Sequence, residues 1–258
     1  MARENSFFWY ELMTSDPKAA EAFYANVVGW TPEPWDGPMP YTVMKAGEHG
    51  IGGIMAIPDE VCEAGGRPGW LGYVKVADAD RAAAEAKAAG GTVTREPDDI
   101  PKVGRFAVLA DPQGAIFMVM APEGSAGVPP PPMSPGHVGW HELYTTDHEK
   151  GFAFYETVFG WQKQDALDMG PMGTYQLFAD SREKDCGATG GMMSLPPNVP
   201  RPVWGFYFTV DAIDPAVERV AAAGGQVVHG PTEVPGGAWI VNAIDPQGAH
   251  FSLVGMRR

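Results

Sequence analysis

An internal repeat constrains the fold of this chain more than any other feature of its sequence. The segment WHELYTTD at 140–147 repeats the segment WYELMTSD at 9–16, and each copy is followed by Phe-Tyr and Gly-Trp pairs. Further motifs recur in the same order in both halves, namely Arg-Pro-x-Trp, Ala-Gly-Gly and Asp-Pro-Gln-Gly-Ala. The chain is therefore a tandem duplication, and both halves are expected to share one fold.

A change in composition marks the boundary between the halves. Gly, Ser and Pro dominate residues 122–136, and the prolines at 129–132 are consecutive. Such a segment favours a semi-extended spacer between domains. We therefore predict an N-terminal domain at 1–121, a linker at 122–136 and a C-terminal domain at 137–258, each long enough to bury a core.

Hydrophobic periodicity and capping residues predict how each half begins. Residues 7–14 alternate between two faces, as a strand does. Asp16 and Pro17 are typical of a helix start, and Gly29 is typical of a helix end. The stretch 30–57, rich in proline and glycine, is predicted to form two or three short strands.

A second round of strand, helix and strands follows in the same half. The pattern predicts a strand at 70–76 and an alanine-rich helix that is capped by Asp78 or Asp80 and ends at Gly90. It also predicts strands near 92–96, 104–110 and 114–120. A four-residue Asp-Pro-Gln-Gly turn joins the last two strands, which by itself explains its aspartate and glutamine.

Charge and composition exclude several kinds of partner. The 32 acidic and 18 basic residues give a net charge of -14, which would repel a phosphate backbone, so nucleic acid is not an expected partner. No apolar run is long enough to cross a bilayer or resembles a signal peptide, so we predict no membrane partner and a cytoplasmic location. Cys62 and Cys186 lack a Cys-x-x-Cys spacing and are expected to be reduced thiols.

The repeated motifs and their order resemble the vicinal-oxygen-chelate (VOC) superfamily, which contains glyoxalase I, bleomycin-resistance proteins, fosfomycin-resistance enzymes and extradiol dioxygenases. The resemblance spans nearly the whole chain. It implies an α+β fold of two tandem domains. Each domain would be a pair of βαβββ modules that form a cup-shaped mixed sheet around a ligand cavity, with the helices outside. A fold of this kind hosts many functions.

The resemblance also implies a divalent metal held by His, Gln or Glu on inward strand faces. The corresponding positions of the two halves are occupied by Trp9 and Trp140, Leu71 and Gly205, and Met118 and Ser252. These side chains are poor ligands for a divalent metal, so no metal is expected at the usual positions. A displaced divalent metal held by Glu142 and His250 is the alternative.

Glu11 and Glu142 are the candidate catalytic residues. With the strand facing that the resemblance implies, alternation places them on the inward face among aromatic side chains, where a carboxylate is costly to bury unless it is hydrogen-bonded or used. The alternative is a structural role in which backbone amides or an arginine, such as Arg67 or Arg201, satisfy each glutamate. The candidate ligand-binding residues share the same inward facing: Trp9, Tyr73, Met118, Trp140, Tyr144, Tyr207, His250 and Ser252.

Other aromatic residues and histidines are expected to be structural. His141 should face the helices by alternation, as a core or rim histidine. Tyr41 and Tyr175 occupy matching places in the two halves and are interpreted as ordinary strand aromatics, with a hydroxyl that orients a ligand as the alternative.

Two classes of function follow from the sequence. In the first, the protein binds a small, partly apolar molecule in its cavities, as bleomycin-resistance proteins do. In the second, it is a VOC-type lyase (glyoxalase-like), isomerase or dioxygenase that uses Glu142 or Glu11, with or without a displaced metal. The second half has the more polar cavity, because His250 and Thr209 stand where the first half has Ile116 and Lys75. The chain is expected to be a monomer or a homodimer.

Overall fold

A computed structural model describes residues 4–124, 131–180, 187–196 and 199–257. The elements of the first half, in chain order, are β1 (Phe7–Thr14), α1 (Pro17–Val28), β2 (Thr31–Pro34), β3 (Thr42–Ala46), β4 (His49–Ala56), α2 (Asp59–Glu63), β5 (Gly69–Lys75), α3 (Ala79–Ala88), β6 (Thr92–Ile100), β7 (Gly104–Ala110) and β8 (Ile116–Pro122). Those of the second half are β9 (Val138–Thr145), α4 (His148–Phe159), β10 (Gln162–Asp168), a short 3-10 turn (Gly170–Met172), β11 (Thr174–Ala179), β12 (Gly190–Ser194), β13 (Val203–Thr209), α5 (Ile213–Ala222), β14 (Gln226–Glu233), β15 (Trp239–Ile244) and β16 (His250–Gly255).

Each half forms one mixed sheet of eight strands. The strand order is β2-β3-β4-β1-β5-β8-β7-β6 in the first sheet and β10-β11-β12-β9-β13-β16-β15-β14 in the second. The first strand of each βαβββ module pairs in parallel with the last strand of the same module, as β1 does with β4 and β5 with β8. The predicted fold class is confirmed: the protein is α+β, with two mixed sheets that are each built from two βαβββ modules.

Local signals in the sequence locate the helix ends. The Asp16 carboxylate accepts a hydrogen bond from Ala19 N, and Gly29 ends α1 in the left-handed conformation that glycine adopts without strain. Asp147 and Gly160 repeat both roles in α4. Of the two caps considered for α3, Asp78 is the one that accepts from Arg81 N.

Some elements differ from the sequence-based prediction. The stretch 30–57 forms three strands, which agrees with the predicted two or three, whereas β6 extends to Ile100, four residues beyond the predicted end. The short helix α2 was not predicted, because its five residues are too few for a periodic pattern. Its first turn carries Asp59 and Glu60, which suit the positive end of a helix.

Two of the predicted features fall partly or wholly outside the described residues. The linker at 122–136 includes residues 125–130, and Cys186 lies in the segment 181–186, and both of these segments are outside the described residues. Cys62 is an exposed free thiol, as expected.

Packing groups the chain into two compact units, and each unit takes segments from both halves. The first unit comprises residues 1–8, 72–129 and 141–204. The second unit comprises residues 9–71, 130–140 and 205–258. Helix α1 of the first half therefore packs on β16 of the second half, where the rings of Phe23 and Phe251 are in contact. The domain boundaries given above stay a prediction.

A buried chain of hydrogen bonds joins the two halves within the second unit. The indole of Trp70 donates from Nε1 to Tyr24 Oη at 3.0 Å, and Tyr24 Oη donates to Asp245 Oδ2 at 3.0 Å. The other oxygen of Asp245 accepts from the backbone amides of Gln247 and Ala249. Burial raises the pKa of Tyr24 well above its usual value, and the Asp245 charge adds to the shift, so the phenol stays protonated.

The first unit contains the same chain of hydrogen bonds. Trp204 Nε1 donates to Tyr155 Oη at 2.8 Å, and Tyr155 Oη donates to Asp111 Oδ2 at 3.2 Å. We call each set a Trp-Tyr-Asp chain. These contacts explain why the Phe-Tyr, Arg-Pro-x-Trp and Asp-Pro-Gln-Gly motifs recur together. The aspartate therefore has a second role besides forming the turn, which the sequence interpretation missed.

Removing one hydroxyl from a Trp-Tyr-Asp chain tests its contribution to stability. Tyr24→Phe leaves the Trp70 indole and one Asp245 oxygen without their partner in the core. The expected loss is about 1–3 kcal/mol of unfolding free energy, the usual cost of an unsatisfied buried polar group. Denaturant unfolding measures it, and Tyr155→Phe serves as the replicate in the first unit. An unchanged midpoint in both variants would contradict this role.

Candidate functional site

One face of strand β1 packs in the core, and the opposite face carries a buried carboxylate. Leu12 lies on one face and is fully buried, whereas Trp9, Glu11 and Met13 lie on the other. Glu11 is only 5 % exposed, so its carboxylate is largely removed from water. Such a group needs hydrogen-bond partners to be stable there.

In the second unit, Tyr41 is the partner of Glu11. The Tyr41 hydroxyl is hydrogen-bonded to the Glu11 carboxylate and accepts from Trp9 Nε1 at 2.9 Å. Burial raises the pKa of Tyr41 well above its usual value, and the negative charge of Glu11 adds to the shift. The phenol therefore stays protonated at neutral pH, so it can donate to the carboxylate.

A glycine makes room for this tyrosine. Gly53 lies directly opposite Glu11 in the parallel pair of β1 and β4. A Cβ atom at Gly53 would lie 2.1 Å from Tyr41 Cζ, closer than any real contact. Only glycine at this position lets the Tyr41 ring lie over β4 and reach Glu11.

The first unit repeats the arrangement with residues of the second half. Tyr175 Oη donates to Glu142 Oε1 at 2.9 Å, and Glu142 is 7 % exposed. Gly191 lies opposite Glu142 in β12, and a Cβ atom there would lie 2.1 Å from Tyr175 Cε1. We call each set a Tyr-Glu pair, Tyr41 with Glu11 and Tyr175 with Glu142.

The Tyr-Glu pairs revise one interpretation made from the sequence. Tyr41 and Tyr175 are not merely strand aromatics, because their hydroxyls hold the glutamates. The alternative in which backbone amides or an arginine, such as Arg67 or Arg201, satisfy each glutamate stays a prediction. The signal that could have identified the tyrosines is their recurrence at matching places in both halves.

A second polar cluster lies on three adjacent strands of the second sheet. Tyr207 on β13 is opposite Ser252 on β16, which is opposite Asn242 on β15. Asn242 Nδ2 donates to Ser252 Oγ at 2.8 Å and to Tyr207 Oη at 3.3 Å. Two of the predicted ligand-binding residues therefore come together. The interpretation of the sequence missed Asn242. The feature that could have identified it is a single amide side chain within the otherwise apolar run Trp239–Ile244.

The remaining predicted ligand-binding residues lie in varied surroundings. Tyr73 and Met118 are buried neighbours on β5 and β8 in the first unit. Trp140 and Tyr144 are half-buried on β9, and His250 is exposed at the start of β16. Their roles in binding stay predictions.

His141 is a core residue, as the alternation of β9 predicted. Its ring stacks on Phe7 with centroids 4.8 Å apart, and its Nδ1 lies 3.0 Å from the Thr189 carbonyl oxygen. Burial lowers its pKa below the usual histidine value, although the Asp180 carboxylate partly opposes the shift. The neutral imidazole is therefore the form that the fold favours.

The side chains at the positions where the resemblance implies metal ligands do not fit a metal in this chain. Trp9 Nε1 is a donor that is already directed at Tyr41, and Ser252 Oγ already accepts from Asn242. An indole, a thioether and a lone hydroxyl are unsuited to divalent metals. Within the described ranges, no three His, Cys, Asp or Glu side chains form a group that could hold a metal ion. A metal shared by Glu142 and His250 stays a prediction.

A surface groove of about 250 Å³ lies between α3 and β6 and is bordered by Asp80, Lys87 and Glu96. Its charged, open rim differs from the buried Tyr-Glu pairs.

None of the helices in the part of the chain that the structure describes is long and apolar enough to span a bilayer.

Comparison with known proteins identifies the class of protein. The family model of the Glyoxalase/Bleomycin resistance protein/Dioxygenase superfamily matches residues 134–253, and that of the glyoxalase-like domain matches residues 9–120. The anthracycline biosynthesis protein DauV of Streptomyces sp. (strain C5) is 30 % identical over 269 residues, which cover 96 % of this chain and 92 % of DauV. The chain thus has two glyoxalase-type domains in tandem, and it belongs to the Glyoxalase/Bleomycin resistance protein/Dioxygenase superfamily.

A second relative matches only part of the chain. The protein named "Putative glyoxylase CFP32" of Mycobacterium tuberculosis (strain CDC 1551 / Oshkosh) is 49 % identical over 123 residues. The match covers 45 % of this chain and 44 % of CFP32, so it spans less than half the length of that protein.

Solved structures support the fold. The Mn(II)-bound glyoxalase from Novosphingobium aromaticivorans has a TM-score of 0.65 and 18 % identity, with coverage of 100 % of this chain and 84 % of that chain. The 2,3-dioxygenase LapB from Pseudomonas sp. KL28 has a TM-score of 0.67 and 17 % identity, with coverage of 98 % and 92 %. At such identities the likeness concerns the fold alone.

The lowered pKa of His141 predicts how stability depends on pH. The buried, neutral His141 ring contributes its full stabilisation to the fold above about pH 6.5, the ordinary pKa of histidine. This contribution is lost as the pH falls towards the lowered pKa of His141 in the folded state. We expect His141→Gln to flatten the decline of unfolding free energy on acidification, measured by denaturant unfolding between pH 7.5 and 5. His250→Gln, at an exposed histidine, is the matched control. The same pH slope in His141→Gln and the parent protein would refute this.

Proposed function

We propose that this protein binds a small, partly apolar molecule whose polar group meets a Tyr-Glu pair. The observation that carries the proposal is the duplication of this pair on a largely buried strand face. In each half a carboxylate is withdrawn from water and oriented by a tyrosine that lies over a glycine. Because a buried carboxylate is energetically costly, its presence in both halves supports a role in binding rather than in packing alone.

The chemistry of the pair selects a type of ligand group. A carboxylate is an acceptor only, so the complementary ligand group is an O–H or N–H donor. Hydrogen bonds to an ionised group are the strong ones, which suits a site that must hold a small ligand with few contacts. Beside Glu11, the half-buried Trp9 and Met13 offer apolar surface to the body of the ligand.

The name of one relative supports the same chemical class. DauV, which is related over nearly its whole length, is named for anthracycline biosynthesis. Anthracyclines are fused-ring aromatic compounds with hydroxyl groups, which would supply both an apolar body and O–H donors. A hydroxylated aromatic compound is therefore the ligand class that we propose for this chain.

Titration with hydroxylated aromatic compounds, followed by intrinsic tryptophan fluorescence, tests the proposal. Glu11→Gln and Tyr41→Phe should weaken binding in the second unit, as should Glu142→Gln and Tyr175→Phe in the first. Each loss should be roughly 10-fold or more, since a hydrogen bond to a charged group contributes about 1.5–3 kcal/mol. Glu33→Gln removes an exposed glutamate that pairs with Lys45 and is the matched control. No binding at millimolar concentrations, or equal affinity in all variants, would reject the proposal.

An enzymatic function is the second candidate, favoured by the buried carboxylates and by the name of CFP32. Glu142 would then act as a general base whose orientation is fixed by Tyr175, in a lyase, isomerase or dioxygenase reaction. The donor chemistry of the usual metal positions does not fit a metal, so no step is assigned to one.

Activity assays separate this candidate from simple binding. The protein, purified without chelators and analysed for bound metals, would be assayed with glyoxalase and catechol ring-cleavage substrates. If it is an enzyme, Glu142→Gln should lower kcat by roughly 100-fold or more, because a general base contributes about 10²–10⁴-fold. No turnover by the parent protein, or unchanged turnover in the variant, would reject this candidate and leave the binding function in place.

A further inference from the structure

The row of Tyr207, Ser252 and Asn242 faces away from the helix that covers the second sheet. On the intervening positions of the same strands, Phe208, Leu253 and Val241 are fully buried. The helix α5 packs against β15 and β16 and buries its own apolar residues there. Since successive residues of a strand point to opposite faces, the polar row lies on the face opposite to α5.

The hydrogen bonds within the row leave a donor for a ligand. Asn242 Nδ2 donates to Ser252 Oγ, which fixes this oxygen as an acceptor. A serine hydroxyl can accept and donate at the same time, so the Ser252 proton remains to be donated elsewhere. Ser252 is 6 % exposed, and a buried hydroxyl proton of this kind is stabilised by an acceptor.

A second hydroxyl on the same face has no hydrogen-bond partner. Thr209 lies two residues after Tyr207 on β13 and is 3 % exposed, and its Oγ1 has no partner among the described residues. Gly139 packs directly against this hydroxyl, because a Cβ atom at position 139 would lie 2.6 Å from Thr209 Oγ1. An unpaired buried hydroxyl destabilises the fold, and a ligand oxygen would relieve it.

The first half has no equivalent of this arrangement. The matching row of the first sheet is Tyr73, Met118 and Val108, so two of its three members are apolar. Lys75 stands at the position of Thr209. The difference lies in side chains on strands of matching register, which makes it a difference in recognition rather than in fold.

We propose that Asn242, Ser252 and Thr209 form a specificity-determining patch that binds an uncharged carbonyl oxygen on an apolar ring. Ser252 and Thr209 donate to the oxygen, and Asn242 is a positioning residue that orients Ser252. None of the three side chains carries a charge, so a neutral oxygen fits the patch and a charged group would be left without compensation. The proposal rests on the proposed binding function and adds a second polar group to the ligand, an acceptor, which a Tyr-Glu carboxylate cannot bind.

A pair of probes that differ in one carbonyl oxygen tests the patch. The dissociation constants of 1-tetralone and of tetralin, which lacks the carbonyl, are measured for the full chain by fluorescence or calorimetry. The parent protein should bind 1-tetralone roughly 10-fold or more tightly, the difference expected for one or two buried hydrogen bonds. Ser252→Ala, Thr209→Val and Asn242→Leu should reduce this preference to about threefold or less and leave tetralin binding unchanged.

A matched control separates recognition from folding. Thr145→Val removes another buried, unpartnered hydroxyl, which lies on the helix side of β9. This variant should keep the preference of the parent protein. Thr209→Val keeps the shape of the side chain and should raise the melting temperature without ligand, so it carries the test even if Asn242→Leu does not fold.

The outcomes distinguish this patch from the proposed binding function. Equal affinity for the two probes, or an unchanged preference in Ser252→Ala and Thr209→Val, would overturn the patch and leave the Tyr-Glu sites standing. Binding of hydroxylated aromatics without binding of 1-tetralone would overturn it as well. Absence of binding for every probe would overturn both proposals.

Discussion

The structure depends on the buried Trp-Tyr-Asp chains, because they link parts of the sequence that local signals cannot bring together. In the second unit, Trp70 and Tyr24 belong to the first half and Asp245 to the second. The aspartate is also bonded to amides of its own turn, so the turn is fixed to a helix of the other half. Separating these groups would leave a phenol, an indole and a carboxylate unsatisfied in the core, which makes the pairing of modules specific as well as stable.

The sequence predicts those features whose causes are local. Asp16 and Gly29 determine the ends of α1 through capping, and the alternation of β1 places Glu11 on the face opposite to Leu12. The partner of Glu11 could not be predicted in the same way. Tyr41 reaches it only because β4, which carries Gly53, lies beside β1 in the sheet, and strand order depends on contacts across the whole module. The role of Asp245 was missed for the same reason, since its turn explains the residue locally and hides its distant partner.

The duplicated fold carries similar sites in its two halves, but it does not carry identical ones. Both halves keep a Tyr-Glu pair, whereas only the second half has the amide and hydroxyl row around Ser252. The positions at which the resemblance implies metal ligands carry tryptophan, leucine, glycine, methionine or serine here. Membership of the superfamily therefore settles the architecture, and the chemistry has to be argued from the side chains that this chain places on it.

The most direct test of the account is a crystal structure of the protein with a hydroxylated aromatic compound bound. A ligand hydroxyl is expected within hydrogen-bond distance of the Glu11 or Glu142 carboxylate, with Tyr41 or Tyr175 still bonded to the same group. A ligand bound only in the charged groove between α3 and β6, or elsewhere on the exposed surface, with no contact to either Tyr-Glu pair, would contradict the proposed binding function.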